Sequence, residues 1–427
     1  MGFLPSFSTE TWTLLALFLT LLVTYGVWPY RVFKKLGIPG PRPLPFIGNL
    51  SFRRSFMELE MEYRLKYGKV WGIYEGRTPV MMISDPTMIK TIMVKECYTV
   101  FTNRRDIGLS GALSDAVSIA KDEKWRRIRS ALSPSFTSGR LKDVFPIVLK
   151  YADALIDNLK KRDLKQPINV KDLLGPYSMD VVTSSSFSVE VDSINNPKDP
   201  FVTNMKKLFD FGPLILLTFI FPFLASILDK LGMGVFSKAQ MDFFYRTIRK
   251  VKDQHHEDHS NQVDFLRLMI QSEISEEEAN KHTDDRPVKG LTDHEILSQS
   301  LIFILAGYET TSTTMSLLLY NLATNPEAMR KLQEEIDEFF PKETPVTYEA
   351  LLRMEYLEMV QNESQRIWPT APRLDRVCKT TVEVNGVTIP KGMVVVVPVF
   401  SIHHDPKIWD SPESFNPERF STDNKES

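Results

Sequence analysis

Between Thr11 and Tyr30 the chain carries no charge, and Trp12 to Val27 are mostly Leu, Val, Phe and Thr. A run of this length matches the ~20 residues that a helix needs to cross the hydrocarbon core of a bilayer. Trp12, Tyr25, Trp28 and Tyr30 suit interfacial aromatic belts; Arg31, Lys34 and Lys35 follow at once, and only Glu10 precedes. The positive-inside bias therefore predicts a single-pass signal anchor with everything after residue 31 in the cytosol. A cleaved signal peptide would place its basic residues before the apolar run and a small-residue cleavage site after it, and the chain has neither. Pro39, Pro41, Pro43 and Pro45, interrupted by Gly40, predict a stiff extended arm. The expected organisation is an anchor and basic stop over 1–35, an arm over 36–50, and one large domain over 51–427.

A second apolar run, Phe211 to Leu228, is broken by Pro213 and Pro222 and bracketed by Lys206, Lys207, Asp229 and Lys230. Two short helices dipping into the bilayer surface account for it better than a second crossing. Elsewhere, Val70 to Tyr74 and Val80 to Ile83 predict strands around a turn at Gly76 to Pro79. Asp85 and Pro86 then open a helix as N-cap and first-turn proline. From about residue 120 to 365 the periodicity is helical, with polar loops at Asn195 to Pro200 and Thr283 to Gly290. The longest helix opens at Thr292, paired with Glu295 in a capping box, and ends near Thr324; Asn325 and Pro326 start the next. After Pro369 strands return, with Asn385-Gly386 as a hairpin turn and Met393 to Val399 as a buried strand. The expected fold class is mainly α with a minor β region.

Composition adds boundaries. The 427 residues include 27 Phe, which points to a large apolar interior, and a net charge of -2 gives no electrostatic reason for a nucleic-acid partner. The only cysteines are Cys97 and Cys378, which argues against a disulfide framework and predicts two buried, inert thiols, one at a helix end and one at the start of a strand.

Several constellations carry candidate chemistry. Ala306-Gly307-Tyr308-Glu309-Thr310-Thr311 places a carboxylate and hydroxyls inside an apolar helix, where they are costly to bury. Gly307 either lets a flat cofactor approach the backbone or marks a close helix packing. Glu363 and Arg366, three apart, share a helix face and can pair. Trp125 and Arg129, four apart, also share a face; Arg126 and Arg127 beside them suit either a solvated face or a docking patch for an acidic partner. His255, His256 and His259 have metal-compatible spacing, yet their neighbours Asp253, Glu257, Asp258 and Ser260 predict an exposed polar helix. His403 and His404 precede a turn at Asp405-Pro406 and are assigned no ligand role. Asn362-Glu363-Ser364 matches a glycosylation sequon, but it lies mid-helix on the expected cytosolic side.

In this order, the Ala306 motif, Glu363-Ser364-Gln365-Arg366 and Pro417-Glu418-Arg419-Phe420 resemble the haem-thiolate monooxygenases, the cytochromes P-450. The resemblance runs from the anchor to Phe420. It implies that Thr310 hydrogen-bonds iron-bound dioxygen and that Glu309 relays protons to it. It also implies that Ala306 lies against the cofactor, and that Arg104, Trp125, Arg129 and Arg376 hold haem propionates. Glu363, Arg366 and Arg419 would form a structural brace, and Leu305, Thr370, Ala371 and Arg373 would line the substrate pocket. The implied setting is the endoplasmic reticulum membrane, with electrons from NADPH-cytochrome P-450 reductase and a further partner in cytochrome b5. Phe101-Thr102-Asn103-Arg104-Arg105 and Tyr177-Ser178-Met179-Asp180 are similar to the vertebrate subfamily 3A, whose members oxidise lipophilic compounds including steroids, drugs and other xenobiotics. Departures from the family pattern are Gln365 in a usually apolar slot, Leu305 in place of a bulkier aromatic, and Ser188 in place of a glycine.

The family supplies its thiolate from a Phe-x-x-Gly-x-x-x-Cys-x-Gly loop, and neither Cys97 nor Cys378 has that context. Only seven residues follow Phe420. Two expectations result: an incomplete sequence of a working monooxygenase, or a membrane-anchored, non-catalytic isoform.

Overall fold

The computed structural model describes residues 8–51, 53–106, 111–163, 165–208, 227, 237–257, 264–279, 289–342 and 344–422. The chain divides into two compact units. The first comprises Met1–Arg105, Pro213–Ile227 and Arg373–Ile402; the second comprises Asp106–Gly212, Leu228–Pro372 and His403–Ser427. Of the apolar run at 211–228, only Ile227 lies within the described residues, and it is exposed.

The first unit opens with α1 (Thr9–Val27), capped by Ser8, whose hydroxyl accepts from the Thr11 amide. Its side chains face outward; Gly26 alone is buried. Then come α2 (Val32–Leu36), α3 (Phe56–Tyr67), β1 (Val70–Glu75), β2 (Thr78–Ile83) and α4 (Pro86–Lys90), the last opened by Asp85 as predicted. The hairpin turn is tighter than expected: Glu75 already faces Thr78, so Thr78 and Pro79 belong to β2. From the later chain come β3 (Leu374–Val377), β4 (Val382–Val384), β5 (Val387–Ile389) and β6 (Val394–Val397). The sheet order is β1-β2-β6-β3, with β6 parallel to β2, and β4-β5 form a separate hairpin around Asn385-Gly386. The last buried strand ends at Val397 rather than Val399, because Pro398 cannot extend the ladder.

The arm over 36–50 is not a free extended spacer. The Gly72 amide donates to the Pro39 carbonyl (2.9 Å), Leu44 and Gly48 exchange backbone bonds, and the Asn49 amide donates to the Tyr74 carbonyl (2.7 Å). A Cβ on Gly40 would sit 2.1 Å from the Gly72 oxygen, so the close approach requires glycine. Tyr30, expected at a membrane interface, instead packs edge-on against Tyr74 and donates its hydroxyl to the Leu44 carbonyl (2.7 Å). Phe33 is buried in the apolar cluster with Tyr74, Met81 and Val395.

The second unit is helical. It contains α5 (Asp122–Leu132), α6 (Ser138–Lys160), α7 (Lys171–Phe187), α8 (Pro200–Leu208), α9 (Lys238–Glu257), α10 (Phe265–Gln271), α11 (Glu276–Ala279) and α12 (Asp293–Thr324). After them come α13 (Pro326–Phe339), α14 (Tyr348–Leu351) and α15 (Glu355–Ile367); α16 (Val399–His403) crosses the division between the units. The central helix is α12, and its capping box forms: the Glu295 amide donates to Thr292 Oγ1, and the Thr292 amide to Glu295 Oε2. Its apolar side joins Met179, Phe187, Phe244, Leu297, Leu301 and Ile304 in the main core.

Ser188 shows why a glycine is favoured at its position. It ends α7 in the left-handed region (φ 53°), a conformation that disfavours a side chain. The strain is offset by a 2.5 Å bond from Ser188 Oγ to Asp264 Oδ2. The same carboxylate meets His255 Nε2 at 2.8 Å and caps α10 through the Arg267 amide. His255 is therefore hydrogen-bonded and mostly buried, not on an exposed polar face. The side chains of His256 and His259 lie outside the described residues.

Candidate active site

On α12, Ala306 and Thr310 stand one turn apart on an exposed face. Thr310 Oγ1 donates back to the Ala306 carbonyl at 2.5 Å, a bond that competes with the helix ladder and loosens it locally. One turn on, Thr314 Oγ1 hydrogen-bonds Thr370 Oγ1 at 2.9 Å. That contact draws the segment after α15, with the exposed Thr370 and Ala371, alongside the Ala306–Thr310 face. Thr314 was missed in the sequence, although its i+4 spacing from Thr310 placed it on the same face.

Glu309 points elsewhere. Its carboxylate is paired with Lys171 at the start of α7, and Thr313 Oγ1 donates to it at 3.3 Å. It opens on a polar cavity of about 310 Å³ lined by Asn169, Lys171, Asp172, Lys206, Tyr308 and Glu309. Burial, aided by Glu309 and Asp172, pushes the Tyr308 hydroxyl up to about 12. No local pattern could have revealed Lys171, which lies 138 positions from its partner.

Gly307 takes the packing role of its two readings. A Cβ there would meet Val182 of α7 at 2.3 Å, so the glycine lets α7 and α12 close on each other. Ser178 Oγ crosses the same contact to the Tyr308 carbonyl at 3.0 Å. Leu305 is buried in the main core beside Ile304 and Leu301 and does not share the open surface of Ala306.

The first turns of α12 are held by α5 and by residues 112–117. Arg127 grips Glu295 with two bonds of 2.8 and 2.6 Å and also reaches the Gly290 carbonyl. It is therefore neither a solvated residue nor a free docking residue, whereas Arg126 pairs locally with Glu123. Gln299 accepts from the Val117 amide and donates to the Asp115 carbonyl, both at 2.7 Å. Asp115, hydrogen-bonded by His294 and Lys124, is held down at about 2, and the same bond raises His294. Trp125 and Arg129 lie on α5, the former half-buried and the latter exposed.

Glu363 and Arg366 face each other on α15 through bonds of 2.6 and 2.9 Å, with Glu363 fully buried at 0% side-chain exposure. Glu363 Oε1 also accepts from the Asn416 amide (2.9 Å) and Arg419 Nε (3.3 Å). Arg366 continues to the His403 and Ser414 carbonyls (2.8 and 3.3 Å) and lies over the Trp409 ring. Arg419 reaches the Ser411 carbonyl at 3.0 Å. His403 Nδ1 returns a bond to the Arg366 carbonyl, and burial lowers the His403 pKa. Gln365 is half-buried.

In the first unit, Arg104 and Arg376 are near enough to repel. Burial first, and then Arg376, lower the Arg104 pKa. Arg376 Nε is buried with no hydrogen-bond partner among the described residues. Two guanidiniums in this state fit an anionic partner. Arg373 differs from its expected place in a substrate pocket: it pairs with Glu60 and with Glu75 (2.5 Å) and covers the Phe56 ring.

Cys378 follows β3 instead of opening a strand; it is buried, donates Sγ–H to the Thr380 carbonyl at 2.9 Å, and is pushed up by burial. Cys97 lies past the helical turn Thr91–Lys95 and is half-buried. Among the described residues no cluster of three His, Cys, Asp or Glu could hold a metal ion.

Residues 38–427 match the family model described as Cytochrome P450, and the chain belongs to that family of haem-dependent monooxygenases. It is similar to Cytochrome P450 3A27 of Oncorhynchus mykiss, 56% identical over 433 residues covering 100% of this chain and 83% of that protein. It is also similar to Cytochrome P450 3A40 of Oryzias latipes (55% over 432 residues; 100% and 85%). Against Cytochrome P450 3A7 of Homo sapiens the identity is 50% over 432 residues, covering 100% and 84%. The resemblance to subfamily 3A stated from the motifs therefore holds along the whole chain, and haem is the cofactor of this class.

Proposed function

We propose that the Ala306–Thr310 face of α12 is the oxygen-handling surface of a monooxygenase that inserts one atom of dioxygen into lipophilic substrates, steroids and drugs among them. Electrons would come from NADPH-cytochrome P-450 reductase, with cytochrome b5 as a second donor, in an endoplasmic reticulum protein whose catalytic part is cytosolic. The observation that carries this reading is the split on α12. Thr310 turns to an open face shared with Ala306 and Thr370, while Glu309 turns to a polar cavity. Haem, when bound, supplies the oxygen-activating chemistry. Thr310 holds a donatable proton at Oγ1, and Glu309, in contact with the cavity, exchanges protons at its carboxylate. Ala306 leaves room for a flat group, and Thr370 and Ala371 border the substrate side. Within the first unit Arg104 and Arg376, and within the second Trp125 and Arg129, are the candidates for holding haem carboxylates; the orphaned Arg376 Nε supports the first pair. The thiolate comes from neither Cys97 nor Cys378.

The test uses haem-loaded protein with reductase, NADPH and a steroid under labelled dioxygen. One labelled oxygen atom per product molecule is expected. Product oxygen derived from water would overturn the proposal.

A further inference from the structure

The junction between α1 and the first unit is bonded rather than tethered. Arg77, in the β1–β2 turn, donates Nε–H to the Tyr25 carbonyl at 2.9 Å and lies 3.4 Å from the centre of the Tyr25 ring. Gly26 sits against Phe46, where any Cβ would come within 2.8 Å of the ring. Tyr30 and Phe33 continue the attachment through Leu44 and Tyr74. The helix it fixes is long and apolar enough to cross a membrane, and its apolar side chains are exposed.

With the base of α1 held this way, the groups around it have a set depth. Nineteen residues of α1 nearly fill a hydrocarbon core, so the residues after Val27 fall where a helix leaves lipid. There Trp28 is 70% exposed and Leu44, on the bonded arm, is 61% exposed. Arg31, Lys34, Lys35 and Arg42 are exposed cations beside them. An exposed amphipathic indole and an exposed aliphatic side chain, with four exposed cations close by in the sequence, fit the interfacial layer of an anionic bilayer.

We propose that Trp28, Leu44 and these cations form a fixed membrane-interface surface for anionic lipid headgroups, held in register by Arg77 as a clasp on the anchor helix. The proposal rests on α1 spanning the bilayer, and not on the chemistry assigned to α12. The proline arm acts as a bracket, and the first unit follows the anchor as one body.

The test places a nitroxide at Leu44→Cys in the full chain with Cys97→Ser, in lipid nanodiscs with and without phosphatidylserine. A second label at Leu17→Cys reports insertion of α1. With anionic lipid, the label at position 44 should be several-fold less accessible to a water-soluble nickel chelate than an exposed loop label, and this protection should weaken without phosphatidylserine. Arg77→Ala, and Arg77→Lys, which keeps the charge but loses the stacked fork, should lower protection at 44 and leave the label at 17 unchanged. Water-like accessibility at 44 in both lipids would overturn the surface. Equal protection with and without phosphatidylserine would overturn its anionic preference. Unchanged protection in both Arg77 variants would overturn the clasp.

Discussion

Two of the buried ionic assemblies among the described residues are built on opposite charge balances. Around Glu363 one carboxylate receives Arg366, Arg419 and the Asn416 amide, and Arg366 spends its remaining donors on carbonyls. In the first unit, Glu60 and Glu75 share Arg373, and Glu75 and Asp375 share Arg105. Glu60, 1% exposed, lies against Arg373, yet neither oxygen is in hydrogen-bonding geometry. Burial raises Glu60 to about 7, with Arg373 opposing and Glu75 adding to the rise. Burial also raises Glu75, but Arg105 and Arg373 outweigh it and bring that carboxyl below its usual range. Glu363, with donors in excess, anchors its assembly; Glu60, which shares one guanidinium, is a proton site, whereas Glu75, met by two, stays below the usual carboxylate range.

The largest effect is expected from removing the anchor. Glu363→Ala strands the buried Arg366 and should cost about 3–5 kcal/mol, enough to abolish soluble expression or lower the urea midpoint sharply. The first-unit assembly should respond in the other direction. Because the folded-state pKa of Glu60 lies above its ordinary 4.5, the folded protein keeps a proton that the unfolded chain releases. Stability from this group is full below about pH 4.5 and is lost as pH rises to about 7, a span of roughly 3 kcal/mol. Glu60→Gln should remove that slope and make the protein more stable than wild type at pH 8 in urea titrations. Arg419→Lys keeps a cation beside a Glu363 that still holds Arg366 and Asn416, so a loss of about 1 kcal/mol is expected in the same assay. The smallest effect belongs to His403, whose folded pKa is depressed by burial. Below its ordinary value the unfolded chain binds the proton first, so acidification weakens this neighbourhood; His403→Gln should blunt the acid limb of the stability curve.

These two assemblies also differ in how far the sequence foretold them. Glu363 and Arg366 are three apart on one helix and Arg419 sits in a family motif, so their candidacy was legible. Glu60, Glu75 and Arg373 come from a helix, a strand and the residue just before another strand, and Arg373 was expected beside a substrate. Local periodicity carries no information about such long-range pairing. The same limit hid Lys171 behind Glu309 and Glu295 behind Arg127. Capping chemistry, by contrast, is local: Thr292 with Glu295 and Asp85 with Pro86 stand where predicted. The stiffness of the proline arm was legible, but not the backbone donors that hold it, at Gly72 in β1 and at Gly76 in the turn after it. Gly307 was read both ways, and only the Val182 contact decided between them.

The central claim is that Thr310 delivers protons from the open face of α12. It is tested most directly by the ratio of product formed to NADPH consumed in haem-loaded wild type, Thr310→Ala and Thr310→Ser. The account predicts that alanine lowers the ratio about ten-fold or more while NADPH consumption persists, and that serine restores most of it. An alanine variant that couples as tightly as wild type would contradict it.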